Sequence, residues 1–491
     1  MDHQVGSGYL DLTEAERRLV QVVGSGDQLD LAGRKYRAGD LIPADVMRRW
    51  GRSHTVRASV IRDILRGRLV GRPDPRGIRL RGARISGRLD LNYLTATIPL
   101  SLTDCLLPDG IVASSATLPA LILRGSLLAH RDLPPLVARR LTTTVLDLSL
   151  ATVTARCELA AVDLAGAELG LLDARGATLV NAGGPALGAE GLVVGQDVFL
   201  DGGFTATASG SLGAVQLAGA RIGGQLVCAD AAITGTNGSA LTTDGLVVGQ
   251  DLYLARLTAS GGGPAAVLEL PNTTVGRMFH YGPATVANNA SRGSRINVDG
   301  LTYRALPAGL TPTEWLQVIR HDTPAYAAQP YRHLAAALSA AGDERQARDV
   351  LMAQRQDQLD RGALTGASQR AWARFTGVVL GYGYRPSRAL LFLLGVLAVS
   401  VILATVLGAH GALAQPRLSG SARLAAPCTP LQRVAVGLDV GEPLGVPSAQ
   451  CGTTLLGTGS AFTVLHWLLE VAAWALAALF IAGFTSVVRK S

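Results

Sequence analysis

The sequence predicts a mainly β protein: a right-handed parallel β-helix with helical ends, followed by a two-span transmembrane α-hairpin. Two observations support this prediction. Across residues 77–303, short Leu-x-Leu pairs recur with Gly, Ala, Asn or Asp between them, and two long apolar runs lie near the C-terminus. Short alternating segments in succession are typical of solenoids, and apolar runs of about 20 residues are typical of membrane spans.

An internal repeat is the main support for the solenoid, predicted at residues 77–305. The string GLVVGQD occurs at residues 191–197 and again at residues 245–251, a spacing of 54. A period of this length covers two or three turns of a parallel β-helix if each turn takes about 20 residues. Ten or eleven turns, about 4.8 Å apart, are therefore expected around a narrow core of Leu, Ile and Val.

Helices are predicted on both sides of the solenoid. Residues 1–76 are expected to form a helical N-terminal cap, in which Thr13 and Glu16 have the spacing of a capping box. Residues 306–388 read as a helical hairpin joined at Gly342, followed by a linker to the membrane. Because the open ends of a solenoid expose strand edges, these helices are expected to cover them.

The C-terminal region is expected to cross the bilayer twice. Residues 389–409 contain no charged side chain, and residues 462–488 are interrupted only by His466 and Glu470. Four arginines in residues 370–388 precede the first span, and Arg489 and Lys490 follow the second. The positive-inside rule then predicts a multi-pass plasma-membrane protein with cytoplasmic termini, an extracytoplasmic loop at residues 410–461 and a cytoplasmic tail at 489–491.

The cysteines fit this orientation. Cys428 and Cys451 both fall in the outer loop and are a candidate disulfide, with two free thiols as the alternative. Cys105, Cys157 and Cys228 show no paired spacing. They are expected to be reduced thiols that behave as small buried hydrophobes.

Glu470 and His466 are the candidate polar residues within the membrane. A carboxylate in hydrocarbon is costly, so such residues usually pair, become protonated or line a pathway. His466, one helical turn earlier, and His410, at the outer end of the first span, are possible partners. Two roles stay open for Glu470: packing near the interface, or the handling of ions or protons.

No catalytic, cofactor-binding or metal-binding residue is predicted. The chain lacks a dinucleotide fingerprint, a phosphate-binding Walker loop, an HExxH helix and a CxxC pair. Its formal charge of +8 comes from arginines that are spread along the chain and are not interleaved with aromatic residues. This pattern argues against a nucleic-acid partner.

Four blocks of sequence indicate a family resemblance. They are LDLTEAERRL, IRLRGARISGRLDL, YRHLAAALSAAGDERQARDVLMAQRQ and GYGYRPSRALLFLL. In this order they resemble a group of actinobacterial membrane proteins with a pentapeptide-related β-solenoid and a two-span hairpin, commonly labelled membrane-associated oxidoreductases. The resemblance implies a degenerate pentapeptide-like solenoid, since the A(D/N)LxX pattern is recognisable only at residues 163–179. It supplies no catalytic residues.

Three functions follow as hypotheses. The favoured one is a non-enzymatic scaffold: a cytoplasmic β-solenoid held at the lipid bilayer that binds a protein partner or a second copy of itself. The second is the oxidoreductase activity that the resemblance implies, which would need a flavin, nicotinamide or metal site. The third is a small transporter or gate that uses Glu470.

Overall fold

The structure of the chain is a computed structural model. It describes residues 11–33, 35–37, 39–282, 286–288, 295–361, 366–380, 387–410, 413–415, 427–441, 451–453 and 458–488. The chain divides into two compact units, Met1–Val350 and Leu351–Ser491. The predicted tail at residues 489–491 lies outside the described residues.

The first unit contains the predicted parallel β-solenoid. Three parallel sheets, named A, B and C here, run along it, and each complete turn adds at least one strand to each sheet in that order. The described residues form nine such turns, which confirms the predicted fold class. At about 4.8 Å per turn, the stack is roughly 40 Å long.

The strands are short. Sheet A consists of Leu29–Asp30, Ile78–Arg81, Leu100–Thr103, Thr117–Ile122, Thr142–Asp147, Glu168–Asp173, Val193–Val194, Val198–Phe199, Arg221–Ile222, Leu226–Val227, Val247–Val248, Leu252–Tyr253, Thr274–Val275, Phe279–His280 and Thr302–Tyr303. Sheet B consists of Thr55–Arg57, Arg84–Ser86, Leu106–Leu107, Leu127–Ala129, Thr152–Ala155, Thr178–Asn181, Thr205–Ala208, Ala232–Gly235, Thr258–Gly261 and Val286–Asn288. Sheet C consists of Leu89–Asp90, Ile111–Val112, Leu136–Val137, Val162–Asp163, Leu187–Gly188, Val215–Gln216, Leu241–Thr242, Leu268–Glu269 and Ile296–Asn297.

The turns are longer than the sequence analysis expected. In sheet A, Val193 pairs with Arg221 in the next turn, and Arg221 pairs with Val247 in the turn after that. Val193 and Val247 are equivalent residues of the two GLVVGQD copies. The repeat therefore covers two turns and not three. Longer turns also explain why nine turns form, and not the expected ten or eleven.

Inward-facing aliphatic residues form the core. Leu80, Leu121, Leu146, Val198 and Leu252 are fully buried. Strand neighbours alternate between buried and half-buried or exposed positions, as in the four-residue strand Leu100–Thr103. Because burying a Leu or Val side chain contributes about 2 kcal/mol, the repeated core is the main source of stability of the solenoid.

Helices and an irregular segment close the N-terminal end. Helix α1 (Glu14–Ser25) begins at the predicted capping box, which is confirmed because Thr13 and Glu16 each accept from the other's backbone N–H. Helix α2 (Ala44–Arg48) and helix α3 (Ala58–Leu65) follow. Helix α3 occupies the place of a sheet C strand, because it follows the first sheet B strand and packs on Leu89–Asp90. The region predicted as a helical cap thus also supplies the first strands of sheets A and B.

A buried arginine ties the N-terminal segment to the solenoid. Arg81 is 3 % exposed and donates from Nε to Asp104 and from Nη1 to Asp30, at 2.8 and 2.9 Å. It also donates to the backbone carbonyls of Tyr36, Arg37 and Asp40. These bonds use all five N–H groups of the guanidinium. Arg81 therefore holds the segment after the first strand in place.

A second ion pair joins α1 to the first sheet B strand. The Glu16 side chain is fully buried and accepts from Arg57 Nε and Nη2, both at 2.8 Å, and from the Arg57 backbone N–H. Burial alone would raise the pKa of this carboxyl, but the hydrogen bonds from Arg57 and Thr13 outweigh that effect and lower it.

Aromatic residues close the C-terminal end. Helix α4 (Pro312–Gln317) places Trp315 against Phe279, Tyr281 and Tyr303, with ring centroids 5.8 to 6.3 Å apart. The Trp315 indole Nε1 donates to the Tyr303 hydroxyl at 3.0 Å. Burial raises the pKa of Tyr303, so its hydroxyl stays protonated. The cluster covers the last turn of the core.

Helices follow the solenoid, as predicted. A π-helical turn, Val318–Asp322, leads to helix α5 (Ala328–Ala340), and helix α6 (Glu344–Asp360) follows. They are joined at Gly342, whose φ of 85° lies in the left-handed region that favours glycine.

The second unit is helical. It contains helices α7 (Ala367–Leu380), α8 (Ser387–Ala409), α9 (Pro430–Leu438) and α10 (Thr458–Val488), with a short antiparallel pair of strands, Leu413–Ala414 and Gly452–Thr453. A 3-10 turn, Asp439–Gly441, follows α9. By length and composition, α8 and residues Val464–Ala482 of α10 could each cross a membrane. This agrees with the two predicted apolar helices.

Replacement of Arg81 by Met should lower the free energy of unfolding by about 3 kcal/mol, because Asp104 would stay buried without its counter-charge. The measurement is chemical denaturation of the full chain in detergent. Arg79→Met is the matched control, since Arg79 lies on the same strand with a half-buried, outward side chain. Equal losses in the two variants would contradict the assigned role of Arg81.

Replacement of Glu16 by Gln should lower the free energy of unfolding by about 2 kcal/mol at pH 7. Because the folded state lowers the Glu16 pKa below its ordinary 4.5, the contribution is complete well above pH 4.5. It is lost as the pH falls through the folded-state pKa. The difference between Glu16→Gln and the unsubstituted chain, measured from pH 7 to pH 2, should therefore shrink on acidification. A constant difference would show that the charge of Glu16 does not matter.

Candidate functional site

A shallow groove lies on sheet A of the solenoid. It has a volume of about 580 Å³ and crosses four successive turns. Thr117, Thr142 and Val193 lie on one rim, and Pro119 and Thr144 are the first two residues of its floor. We call this surface the sheet A groove.

A column of glycines continues the floor of the groove. Gly170, Gly195, Gly223, Gly249 and Gly276 occupy equivalent positions in five successive turns, each one residue after an inward Leu, Val or Ile. We call them the glycine ladder. From Gly195 onward, the strand of sheet A breaks here into two short strands.

Close approach of neighbouring turns explains four of the five glycines, all but Gly195. A Cβ atom at Gly223 would lie 2.4 Å from the carbonyl oxygen of Gly195, and one at Gly249 would lie 2.3 Å from that of Gly223. Contacts this short with backbone atoms are sterically forbidden. Most of the floor must therefore be bare backbone, and this opens the surface to an approaching chain.

The rim of the groove is mostly uncharged. The stacked positions of this column hold exposed Thr142, Glu168, Val193, Arg221 and Val247 in successive turns. Val193 and Val247 are 41 % and 40 % exposed. Glu168 and Arg221 have opposite charges and lie two turns apart, about 10 Å. The surface suits a mainly neutral, extended ligand.

Several charged groups of the solenoid take part in structural pairs. Asp251 is 2 % exposed and accepts from Arg277 Nε at 2.8 Å, from the Met278 N–H at 3.0 Å and from the Tyr253 hydroxyl at 3.3 Å. The Tyr253 ring stacks on His280 in the next turn, with centroids 4.0 Å apart. The hydrogen bond from Arg277 lowers the pKa of Asp251, so the pair stays ionised and joins two turns.

Asp201 has a different environment. Its Oδ1 is buried and has no hydrogen-bond partner among the described residues. Burial raises the pKa of its carboxyl; nearby Arg175 offsets part of this effect, while the charges of Asp173 and Asp230 add to it. Arg175 itself pairs with Asp173 and lies over the Phe199 ring at 5.0 Å. Among the described residues, His, Cys, Asp and Glu side chains form no group of three or more that could hold a metal ion.

The three cysteines of the first unit are buried free thiols, as predicted. Burial raises the pKa of both Cys105 and Cys228 to about 12. A thiol with such a pKa is not a nucleophile at neutral pH. Cys105 and Cys228 therefore act as packing residues.

The structure places Cys428 and Cys451 in a disulfide, with their Cα atoms 6.2 Å apart. Leu413, Val436 and Ala404 of α8 pack in the same cluster. The bond closes a segment whose ends are 23 residues apart. It therefore fixes both ends of this segment beside the first apolar helix.

Glu470 and His466 both lie on α10, one helical turn apart, and both are half-buried. His410 is exposed immediately after the end of α8. Nothing in the structure tests whether Glu470 packs or handles ions, so both roles stay predictions.

Comparisons with protein-family models, with characterised proteins and with solved structures gave no significant match. The resemblance to the actinobacterial group therefore stays an expectation.

The groove was not predicted from the sequence. GLVVGQD was used only as evidence of an internal repeat, whereas its second Gly, at positions 195 and 249, belongs to the floor of an exposed surface. The available signal was the Gly that follows an inward Leu, Val or Ile in five successive turns. The role of Arg81 was not predicted either, because its partners lie at distant positions of the chain.

Replacement of Gly249 by Ala should lower the free energy of unfolding by about 2 kcal/mol or more, because the new Cβ would meet the carbonyl oxygen of Gly223. Gly195→Ala is the matched control in the same ladder: its nearest neighbouring atom would be 3.9 Å away, so the change should stay within about 0.5 kcal/mol. Chemical denaturation followed by circular dichroism measures both. Equal effects would argue against close packing as the reason for the ladder.

Proposed function

We propose that this protein is a multi-pass plasma-membrane protein that presents its β-solenoid in the cytoplasm as an interaction surface. In this proposal, an extended and mainly neutral segment of a partner protein binds in the sheet A groove. The observation that supports it is the groove itself, which runs across successive turns with a floor that is mostly glycine backbone and a rim that is mostly Thr and Val.

The shape of the groove favours an extended chain. Its four turns span about 15 Å, and the glycine ladder prolongs the same line by three further turns, to about 29 Å in all. A peptide strand rises about 3.3 Å per residue, so about eight or nine residues would match this length. The low charge of the rim favours apolar and hydroxyl-bearing side chains over acidic or basic ones.

The membrane part of the proposal is supported by two observations. Helix α8 and residues Val464–Ala482 are long and apolar enough to cross a bilayer. Arginines precede the first of these helices and basic residues follow the second, which favours cytoplasmic termini. Oxidoreductase activity and transport through Glu470 stay predictions.

A photo-crosslinking experiment in the native host tests the groove. The photoreactive amino acid benzoylphenylalanine is placed at Val193 on the groove rim or at Thr207, which is exposed on sheet B. Crosslinking from Val193 should give a discrete adduct with one partner protein, and crosslinking from Thr207 should not.

Matched arginine substitutions then test specificity. Thr144→Arg, in the groove floor, should abolish the adduct formed from Val193, because the long charged side chain would fill the groove. Thr207→Arg should leave that adduct unchanged. Both variants must keep the circular dichroism spectrum of the unsubstituted chain. Identical adducts from both positions, or no adduct from Val193 in correctly localised protein, would overturn the proposed binding site.

A further inference from the structure

Helix α9 lies in the segment predicted as an extracytoplasmic loop, yet it packs along the first apolar helix. A Cβ at Gly437 of α9 would lie 2.5 Å from the Cα of Val401 in α8, and one at Gly408 of α8 would lie 3.1 Å from Arg433 Cδ. The start of α9 is thus near the end of α8, and its end is near the middle of α8. The two helices run in opposite directions in close backbone contact.

The depth of this contact follows from helix geometry. Val401 precedes Ala409, the last residue of α8, by about two helical turns, which at about 1.5 Å per residue is about 12 Å. Since the hydrocarbon core of a bilayer is about 30 Å thick, a point about 12 Å below the end of a spanning helix lies well within it. If α8 spans the membrane, the C-terminal end of α9 therefore lies among lipid acyl chains.

The surface of α9 that faces away from α8 is apolar. Leu431, Ala435 and Leu438 are exposed at helical spacing on one stripe, and Leu431 and Leu438 are 82 % and 50 % exposed. On α8, Ile402 and Val406 are 59 % and 51 % exposed at the same level. The apolar surface of the first span thus continues at this depth onto α9.

The polar side chains within α9 lie in its first half, and Asp439 follows its last residue as the C-cap. Thr429 and Gln432 form a capping box there, so the first backbone N–H groups of the helix are satisfied. After the helix, Val440 in the 3-10 turn is fully buried, and this turn contacts α10. The described backbone of residues 430–441 is therefore α-helical or 3-10 helical, as a bilayer favours.

The chain must return to the side from which it entered. Cys428 precedes α9 and is bonded to Cys451, so the segment ends where it began, beside the outer part of α8. We propose that α9 is the membrane-inserted helix of a re-entrant loop, and that its Leu431, Ala435 and Leu438 stripe contacts lipid acyl chains. This inference rests on the membrane anchoring in the proposed function. It places α9 in lipid, although residues 410–461 were predicted to be extracytoplasmic.

Nitroxide labelling of the full chain in phospholipid vesicles tests the proposal. Single cysteines replace Leu438 and, as a second site on the same stripe, Ala435. Ile402→Cys on α8 is the lipid-exposed control, and Thr207→Cys on sheet B is the aqueous control. The unsubstituted chain sets the background from the buried thiols. Collisions of each label with oxygen, which concentrates in lipid, and with the water-soluble complex nickel ethylenediaminediacetate are measured by electron paramagnetic resonance.

For the labels at Leu438→Cys and Ala435→Cys, collisions with oxygen should contribute more to nitroxide relaxation than collisions with the nickel complex. The same result is expected for the label at Ile402→Cys. The proposal is overturned if both stripe positions behave like Thr207→Cys while Ile402→Cys stays oxygen-dominated. Nickel-dominated relaxation at Ile402→Cys as well would overturn the membrane anchoring itself, and the re-entrant loop with it. Crosslinking from Val193 separately tests the groove, so the two proposals can fail independently.

Discussion

The structure of the first unit depends on one constraint: no turn of the solenoid can satisfy its backbone or bury its core without the next turn. Strands of two to six residues are too short to be stable alone, and their hydrogen bonds run to the turns above and below. Each interior turn is covered by a similar turn on both sides. The first and last turns lack one such neighbour, and for this reason the interactions at the two ends of the unit differ most from the repeat.

Different interactions cover the two ends of the solenoid. At the N-terminal end, Arg81 and Glu16 use buried ion pairs and backbone carbonyls to hold irregular chain and helix against the first turn. At the C-terminal end, Trp315 closes the core with an aromatic cluster. Polar networks specify one arrangement, because an unpaired buried charge is costly, whereas aromatic packing mainly adds buried apolar area. This difference accounts for the different effects of pH expected at the two ends: Glu16 titrates in acid, and Tyr303 stays neutral.

The sequence repeats made the fold class predictable, but they did not determine the length or the number of the turns. Short Leu-x-Leu pairs and the recurring GLVVGQD string indicated a parallel solenoid, yet its turns differ in length, as the pairs Leu100 with Leu121 and Val193 with Arg221 show. The corners were also difficult to locate from sequence, because Leu150, Asp230 and Arg256 adopt left-handed backbone conformations, with φ near 60°, where glycine would be expected. In the second unit the apolar helices were evident from composition. Helix α9 was not, although the Thr429 and Gln432 capping box marked its start.

The sequence period equals two full turns, and this affects how the length of the solenoid can change in evolution. Duplication or loss of one such module would alter the length of the stack by about 10 Å, with each side of the stack still in phase. The terminal closures would meet the same neighbours as before. A lineage could therefore adjust the reach of its solenoid by whole modules, while the specialised ends stay under separate selection.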